Sequence, residues 1–205
     1  MSNFDFIAPI YDSIAKVVYG NKLRAAQSHF LHYIKSKQSV LIVGGGTGWI
    51  LTQFKDSCVT IDYVEQSSKM IQIAQQRKCG ASVNFIHSSE IPTFKKYDVV
   101  ITPFVLDCFP ADRLKAFVSS IDQQVKQKGI WICVDFNSED RRFISKLLAR
   151  TMIVFFRFVA KLPTSQLDNY FDVIEGNGYQ IVDYQLFVGG FVKAALLKKI
   201  IFNPI

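Results

Sequence analysis

The run Val40-Leu41-Ile42-Val43 stops at Gly44-Gly45-Gly46-Thr47-Gly48, and the apolar-periodic Trp49-Ile50-Leu51 follows. A short apolar run bounded by glycines reads as a strand, the glycines as a tight turn, and the next residues as a helix start. Residues without Cβ take positive φ and leave room beside the main chain, so such a turn brings the backbone close to a ligand. The unpaired N–H groups at the start of the helix point at the same place. A turn of this kind can also do no more than pack a helix tightly on a strand, and Gly44 to Gly48 alone do not separate the two readings.

The glycines fall at 44, 46 and 48, with Gly45 as an extra. The dinucleotide fingerprint G-x-G-x-x-G started at Gly44 would need glycine at 49, where tryptophan stands, so a standard nicotinamide-dinucleotide turn is disfavoured. Alternating glycines before a helix resemble the first motif of class I methyltransferases that use S-adenosyl-L-methionine. That motif is written as hydrophobic residues, an acid, then G-x-G-x-G. Ile42 stands where the acid usually sits, which removes one polar contact near the methionine end of the cofactor.

Downstream, Cys58 to Val64 reads as a second strand ended by Glu65, 21 residues past Gly44. An acid at the tip of the second strand of an α/β sheet is placed to accept hydrogen bonds from both ribose hydroxyls, one on each carboxylate oxygen. Glu65-Gln66-Ser67-Ser68-Lys69-Met70 resembles the methyltransferase segment D-x-S-x-x-M, with Glu for Asp. Ser67 or Ser68 then caps the second helix, Gln66 sits beside the acid, and Met70 touches adenine. Ser82 to His87 gives a third strand, followed by Ser88-Ser89-Glu90-Ile91-Pro92, where the resembling family has G-D-A-x-x-L-P and its Asp bonds the adenine amino group. Ser88 holds the Asp position, so that contact weakens or passes to Ser89 or to the backbone. His87 reads as a packing residue at the strand end.

Tyr97 to Thr102 is the fourth strand, and Pro103 directly after it takes the chain out of the ladder at Thr102. The resemblance implies that Thr102, Pro103 and Phe104 line the methyl-transfer pocket. Asp107 is either a pocket acid or a helix N-terminal acid. Asp112 to Lys126 reads as a core helix, and the continuous apolar run Ile130 to Phe136 as a buried parallel strand. A helix near 165–175 precedes a hairpin of Tyr179–Val188 and Phe191–Lys199 joined by Gly189-Gly190.

The N-terminal F-D-x-I-A-x-x-Y-D, Phe4 to Asp12, resembles the opening of methyltransferases related to ubiquinone and menaquinone biosynthesis. In that group the segment forms a lid over the cofactor, which makes Tyr11 a candidate contact; an aromatic that only packs its own helix is the alternative. A long helical pattern runs on to Lys37, broken at Gly20-Asn21.

Charge and cysteines narrow the classes. A net charge of +7 fits nucleic acid, an anionic membrane or plain solubility. No aromatic platform or reading motif accompanies it, so nucleic acid is not expected. Five basic residues between Arg142 and Lys161 fall on one side of a helical pattern over 141–162, too many for a membrane span. Three readings stay open for it: a core helix with a solvated basic face, a lid over an apolar substrate, or a surface resting on anionic lipid. Cys58, Cys79, Cys108 and Cys133 form no metal or redox pair and read as reduced, mostly buried thiols. Met1 to Asp5 lacks the charged start of a secretory segment, so the expectation is a cytoplasmic protein, with peripheral membrane contact through 141–162 left open.

The fold expected is α/β: a Rossmann-like, doubly wound, seven-stranded, mainly parallel sheet with an antiparallel C-terminal hairpin and an N-terminal helical lid. One domain spans 1–205, divided into a lid (1–37), a cofactor-binding core (38–136), a helical substrate region (137–170) and a C-terminal helix end and hairpin (171–205). The resemblance implies a methyltransferase using S-adenosyl-L-methionine and a small apolar acceptor. Its cofactor residues are Tyr11, Gly44, Gly45, Gly46, Thr47, Gly48, Glu65, Gln66, Met70, Ser88, Ser89 and Thr102. No metal and no catalytic base is assigned. A non-catalytic protein of the same fold that binds the cofactor is the alternative.

Overall fold

The computed structural model describes residues 5, 8–55, 58–92, 95–137 and 170–200, the side chains at 10, 11, 14, 17, 18, 111 and 112 excepted. The basic segment 141–162, and the start of the helix expected near 165, lie outside the described residues.

Two N-terminal helices, α1 (Ala8–Tyr19) and α2 (Lys22–Ser28), flank Gly20, whose φ of 60° turns the chain between them. Strands β1 (Ser39–Val43), β2 (Thr60–Glu65), β3 (Ser82–His87), β4 (Tyr97–Pro103) and β5 (Val125–Phe136) pair in parallel, with β1 between β2 and β4. The hairpin strands β6 (Tyr179–Phe187) and β7 (Val192–Lys199) complete the order β3-β2-β1-β4-β5-β7-β6, with β7 antiparallel to β5.

The central strands β1, β2 and β4 are apolar along most of their length because both faces are covered, whereas the outer strands β3 and β6 are largely exposed. Val40 and Ile42 pack toward α2 and Ala74 on one side, with Leu23, Ala26 and Phe30. Leu41 and Val43 pack toward α4 (Ala111–Gln124) and α5 (Tyr170–Gly176) on the other, with Leu114, Val118 and Ile174. A side-chain period of two therefore divides β1 between two cores. It also seals Ile42 in one of them, fully buried.

Four expectations need correction. The segment after Gly48 is a 3-10 helix, Trp49–Gln53, rather than an α-helix. Gly48 enters it at φ 74°, and the Thr52 hydroxyl donates to the Trp49 carbonyl at 2.8 Å, which favours the tighter turn. Pro103 stays in β4 opposite Val134; the ladder continues because Phe104 N–H donates to the Val134 carbonyl at 2.7 Å. Asp107 lies in a separate 3-10 turn, Leu106–Cys108, before α4, so it is not an acid of that helix's first turn. The thiols are free, as expected, but less buried: Cys58 is exposed, Cys79 and Cys108 are half-buried, and Cys133 is buried.

Candidate functional site

The C-terminal ends of β1, β2 and β4 open onto a cavity of about 670 Å³ roofed by α1 and α2. That volume lies within the range of small-molecule sites. Of the residues singled out from sequence, Gly44, Gly45, Gly46, Thr47, Glu65, Gln66, Met70, Ser88 and Ser89 line it. Pro103 and Phe104 line it too. Gly48 and Thr102 do not line it, and the side chain of Tyr11 lies outside the described residues.

The placement of Thr102 corrects an expectation. It is fully buried, and its hydroxyl accepts from Trp131 Nε1 at 2.8 Å, so it serves the β4–β5 core. Period two turns Thr102 away from the cavity that its neighbour Pro103 lines. Gly48 has a packing role: a Cβ there would come within 2.6 Å of Ala74 Cβ.

Each glycine of the turn has its own physical reason. A Cβ on Gly44 would meet Val105 at 2.5 Å, and one on Gly45 would meet the Tyr63 ring at 2.4 Å. Close packing thus accounts for both. Gly46 shares a positive φ with Gly44, 63° against 70°, but differs in that the place of its missing Cβ is open space. Its N–H donates to Glu65 Oε2 at 3.0 Å, and its carbonyl accepts from the Tyr63 hydroxyl at 2.9 Å. Ser67 N–H donates to the other oxygen, Oε1, at 2.9 Å. Glu65 is 7% exposed, and burial raises its carboxyl above the ordinary value against the pull of these backbone donors.

Two aspartates of the N-terminal segment reach the cavity walls, Asp12 at the glycine turn and Asp5 at Ser67 beyond Glu65, and sequence reasoning missed both. Thr47 Oγ1 donates to Asp12 Oδ1 at 2.6 Å, and Arg77 forms an ion pair with Asp12. Arg77 Nε also donates to the Thr47 carbonyl at 3.0 Å. Asp5 accepts from the Ser67 hydroxyl at 2.5 Å, while Ser67 caps α3 (Ser68–Gln75) by accepting from Met70 N–H at 3.2 Å. The Ser67 hydroxyl is the main reason that the Asp5 carboxyl is held below its ordinary value. Asp12 lies in the motif that drew attention to Tyr11; an acid four residues before Lys16 on a helix otherwise reads as a solvated pair.

Trp49 lines the cavity and carries the Arg24 guanidinium 5.3 Å above its ring. Ile42, sealed in the core, offers the cavity nothing polar. On the β4 side the wall is Pro103, Phe104, Val105, Cys108 and Phe109. Burial, and then the charges of Asp107 and Asp135, push the Cys108 thiol well up, so it stays protonated at neutral pH. Asp135 accepts from Leu106 N–H at 2.9 Å and Phe136 N–H at 2.8 Å, tying the tips of β4 and β5 together. Burial pushes the Asp107 carboxyl up to about 7. His87 is exposed and its Nε2 lies 3.0 Å from the Gln66 carbonyl. Among the described residues, no group of His, Cys, Asp and Glu is placed to hold a metal ion. No described helix is long and apolar enough to cross a membrane.

An open, mainly parallel sheet with its cavity at the strand tips and an antiparallel end is the class I methyltransferase fold, and solved structures agree. A chain of the complex between the Haloferax volcanii Trm112 methyltransferase activator and a methyltransferase superposes with a TM-score of 0.73 at 12% identity, covering 98% of this chain and 99% of that one. DhpI in complex with S-adenosylhomocysteine gives 0.70 at 16% identity over 96% and 93%. The Burkholderia thailandensis 1,6-didemethyltoxoflavin-N1-methyltransferase, with its substrate and S-adenosylhomocysteine bound, gives 0.65 at 14% over 97% and 87%. Residues 40–129 match the model of a family described as a methyltransferase domain. No curated protein sequence matches the chain.

Proposed function

We propose that this chain is a methyltransferase that uses S-adenosyl-L-methionine and acts on a small, mainly apolar acceptor. The observation that carries the reading is the pairing of Gly46 and Glu65 on one cavity wall: open backbone beside a carboxylate at the second strand tip. Gly44 to Thr47 hold the methionine part, with Gly48 shaping the turn. Glu65 takes the ribose hydroxyls beside Gln66. Met70 with Ser88 and Ser89 faces the adenine. The cavity fits such a molecule in size, and open space lies at the Cβ position of Gly46.

When bound, the cofactor supplies an electrophilic methyl group on sulfur. The chain's own residues hold the two reactants in line and keep water out, and proximity of this kind accounts for much of the acceleration in such transfers. Pro103, Phe104 and Val105 form the apolar wall beside the reacting groups. Tyr11, His87, Asp107 and Asp135 carry no assigned proton transfer. The apolar acceptor rests on Phe104, Phe109, Phe117 and Ile91 in the cavity wall and on the resemblance to quinone C-methyltransferases. The division into lid, core, substrate region and hairpin within one domain belongs to the same reading, as does contact of 141–162 with an anionic membrane.

Calorimetric titration with S-adenosylhomocysteine tests this. The wild-type chain binds at one saturable site, and Glu65→Ala weakens binding at least about tenfold, because hydrogen bonds to a charged group contribute roughly 1.5–3 kcal/mol each. No binding, or an unchanged variant, contradicts the assignment. Methylation of polar acceptors only, together with no sedimentation on anionic liposomes, contradicts the acceptor class. Ile42 and Ser88, each standing where an acid is usual, favour a second reading, a cofactor-binding protein without turnover. Binding without product over a broad acceptor panel would select it.

A further inference from the structure

The cofactor reading leaves the amino-acid end of the ligand short of a partner, since Ile42 is sealed in the core. The cavity's charges supply another candidate. Lys16, Arg24 and Arg113 line it, and none forms an ion pair among the described residues. Lys16 and Arg113 are exposed, whereas Arg24 is half-buried and its guanidinium lies 5.3 Å over Trp49. An indole face immobilises a guanidinium plane while leaving its edge N–H groups free for a carboxylate, a fork that lysine lacks. Trp49 is the residue directly after the glycine turn, so its ring holds Arg24 beside the Gly44–Gly48 segment. Asp12, the acid of α1 that reaches this turn, is already engaged by Thr47 and Arg77 and leaves Arg24 unpaired.

We propose that Arg24, held over the Trp49 ring, binds the α-carboxylate of the cofactor's amino-acid end, so that part of cofactor recognition is delivered from the N-terminal helices. This rests on the cofactor reading above. It makes Trp49 a positioning residue for Arg24, and it gives a function to the ring that breaks the dinucleotide pattern.

The test compares two ligands by calorimetry: S-adenosylhomocysteine, and 5′-methylthioadenosine, the same nucleoside thioether without the amino-acid end. Arg24→Gln is expected to weaken S-adenosylhomocysteine binding at least about tenfold, as loss of a charge-assisted pair does, and to leave 5′-methylthioadenosine within about twofold. Arg24→Lys, which keeps the charge without the fork, is expected to fall between wild type and Gln. Lys22→Gln on the same helix, away from the cavity, is expected to change neither ligand. Unchanged S-adenosylhomocysteine binding in Arg24→Gln overturns the proposal while the cofactor reading stands. Equal losses for both ligands overturn it as well, since they report a packing defect. A wild-type chain that binds neither ligand overturns both readings.

Discussion

An added methyl group at Gly45 would sit 2.4 Å from the Tyr63 ring, while at Gly46 it would meet nothing. Gly45→Ala is therefore expected to destabilise by about 2 kcal/mol or more through overpacking, and Gly46→Ala by about 1 kcal/mol through its positive φ alone. Thermal melts check the order, at roughly 2–4 °C per kcal/mol for a chain of this size. Asp107 offers a pH test. Burial raises its carboxyl to about 7, so between the unfolded value near 4 and pH 7 the folded chain holds a proton that the unfolded chain releases. Stability from this group falls as pH rises through that window and is lowest above it. Asp107→Asn should then raise Tm at pH 8 and change it little at pH 4, which thermal melts at the two pH values check. At this scale Glu65 was legible because its distance from the glycines and its strand-tip position are features of local sequence. Asp12 and Arg24 were not: on an amphipathic helix a charge that reaches a site looks the same as one that reaches water.

The N-terminal helices are held to the sheet by side chains. Asp12 ties α1 to the glycine turn and to Arg77, and Asp5 ties the start of the chain to the cap of α3. Asp12→Ala is expected to speed amide exchange throughout α1 while costing only about 1 kcal/mol globally, because the ion pair is partly solvent-exposed. The Asp5 tether has its own pH signature. A carboxyl held below its ordinary value stabilises above the unfolded pKa near 4, and that stabilisation is lost as pH falls through the lower folded value. Exchange near Ser67 should therefore rise on acidification in the wild type and not in Asp5→Asn. Strands β1, β2 and β4 and the C-terminal half of β5, buried nearly throughout, were legible from their apolar runs. The 3-10 helix after Gly48 was not, since an apolar pattern of five residues carries no sign of how tightly it winds.

For the whole molecule, strand order β3-β2-β1-β4-β5-β7-β6 sets the cavity beside β1, where the direction of winding reverses. Alternating strands and helices made that topology readable, because parallel strands require crossovers of one hand. What the alternation of strands and helices does not encode is which face of a strand meets the cavity, so Thr102, which faces the core, was not separated from Pro103, which faces the cavity. A crystal structure of the chain grown with S-adenosylhomocysteine tests the central claim most directly. The account predicts the amino-acid end along Gly44–Gly48 with its carboxylate on Arg24, the ribose hydroxyls on Glu65, and adenine between Met70 and Ser88-Ser89. A ligand seated elsewhere, or one whose ribose makes no contact with Glu65, would contradict it.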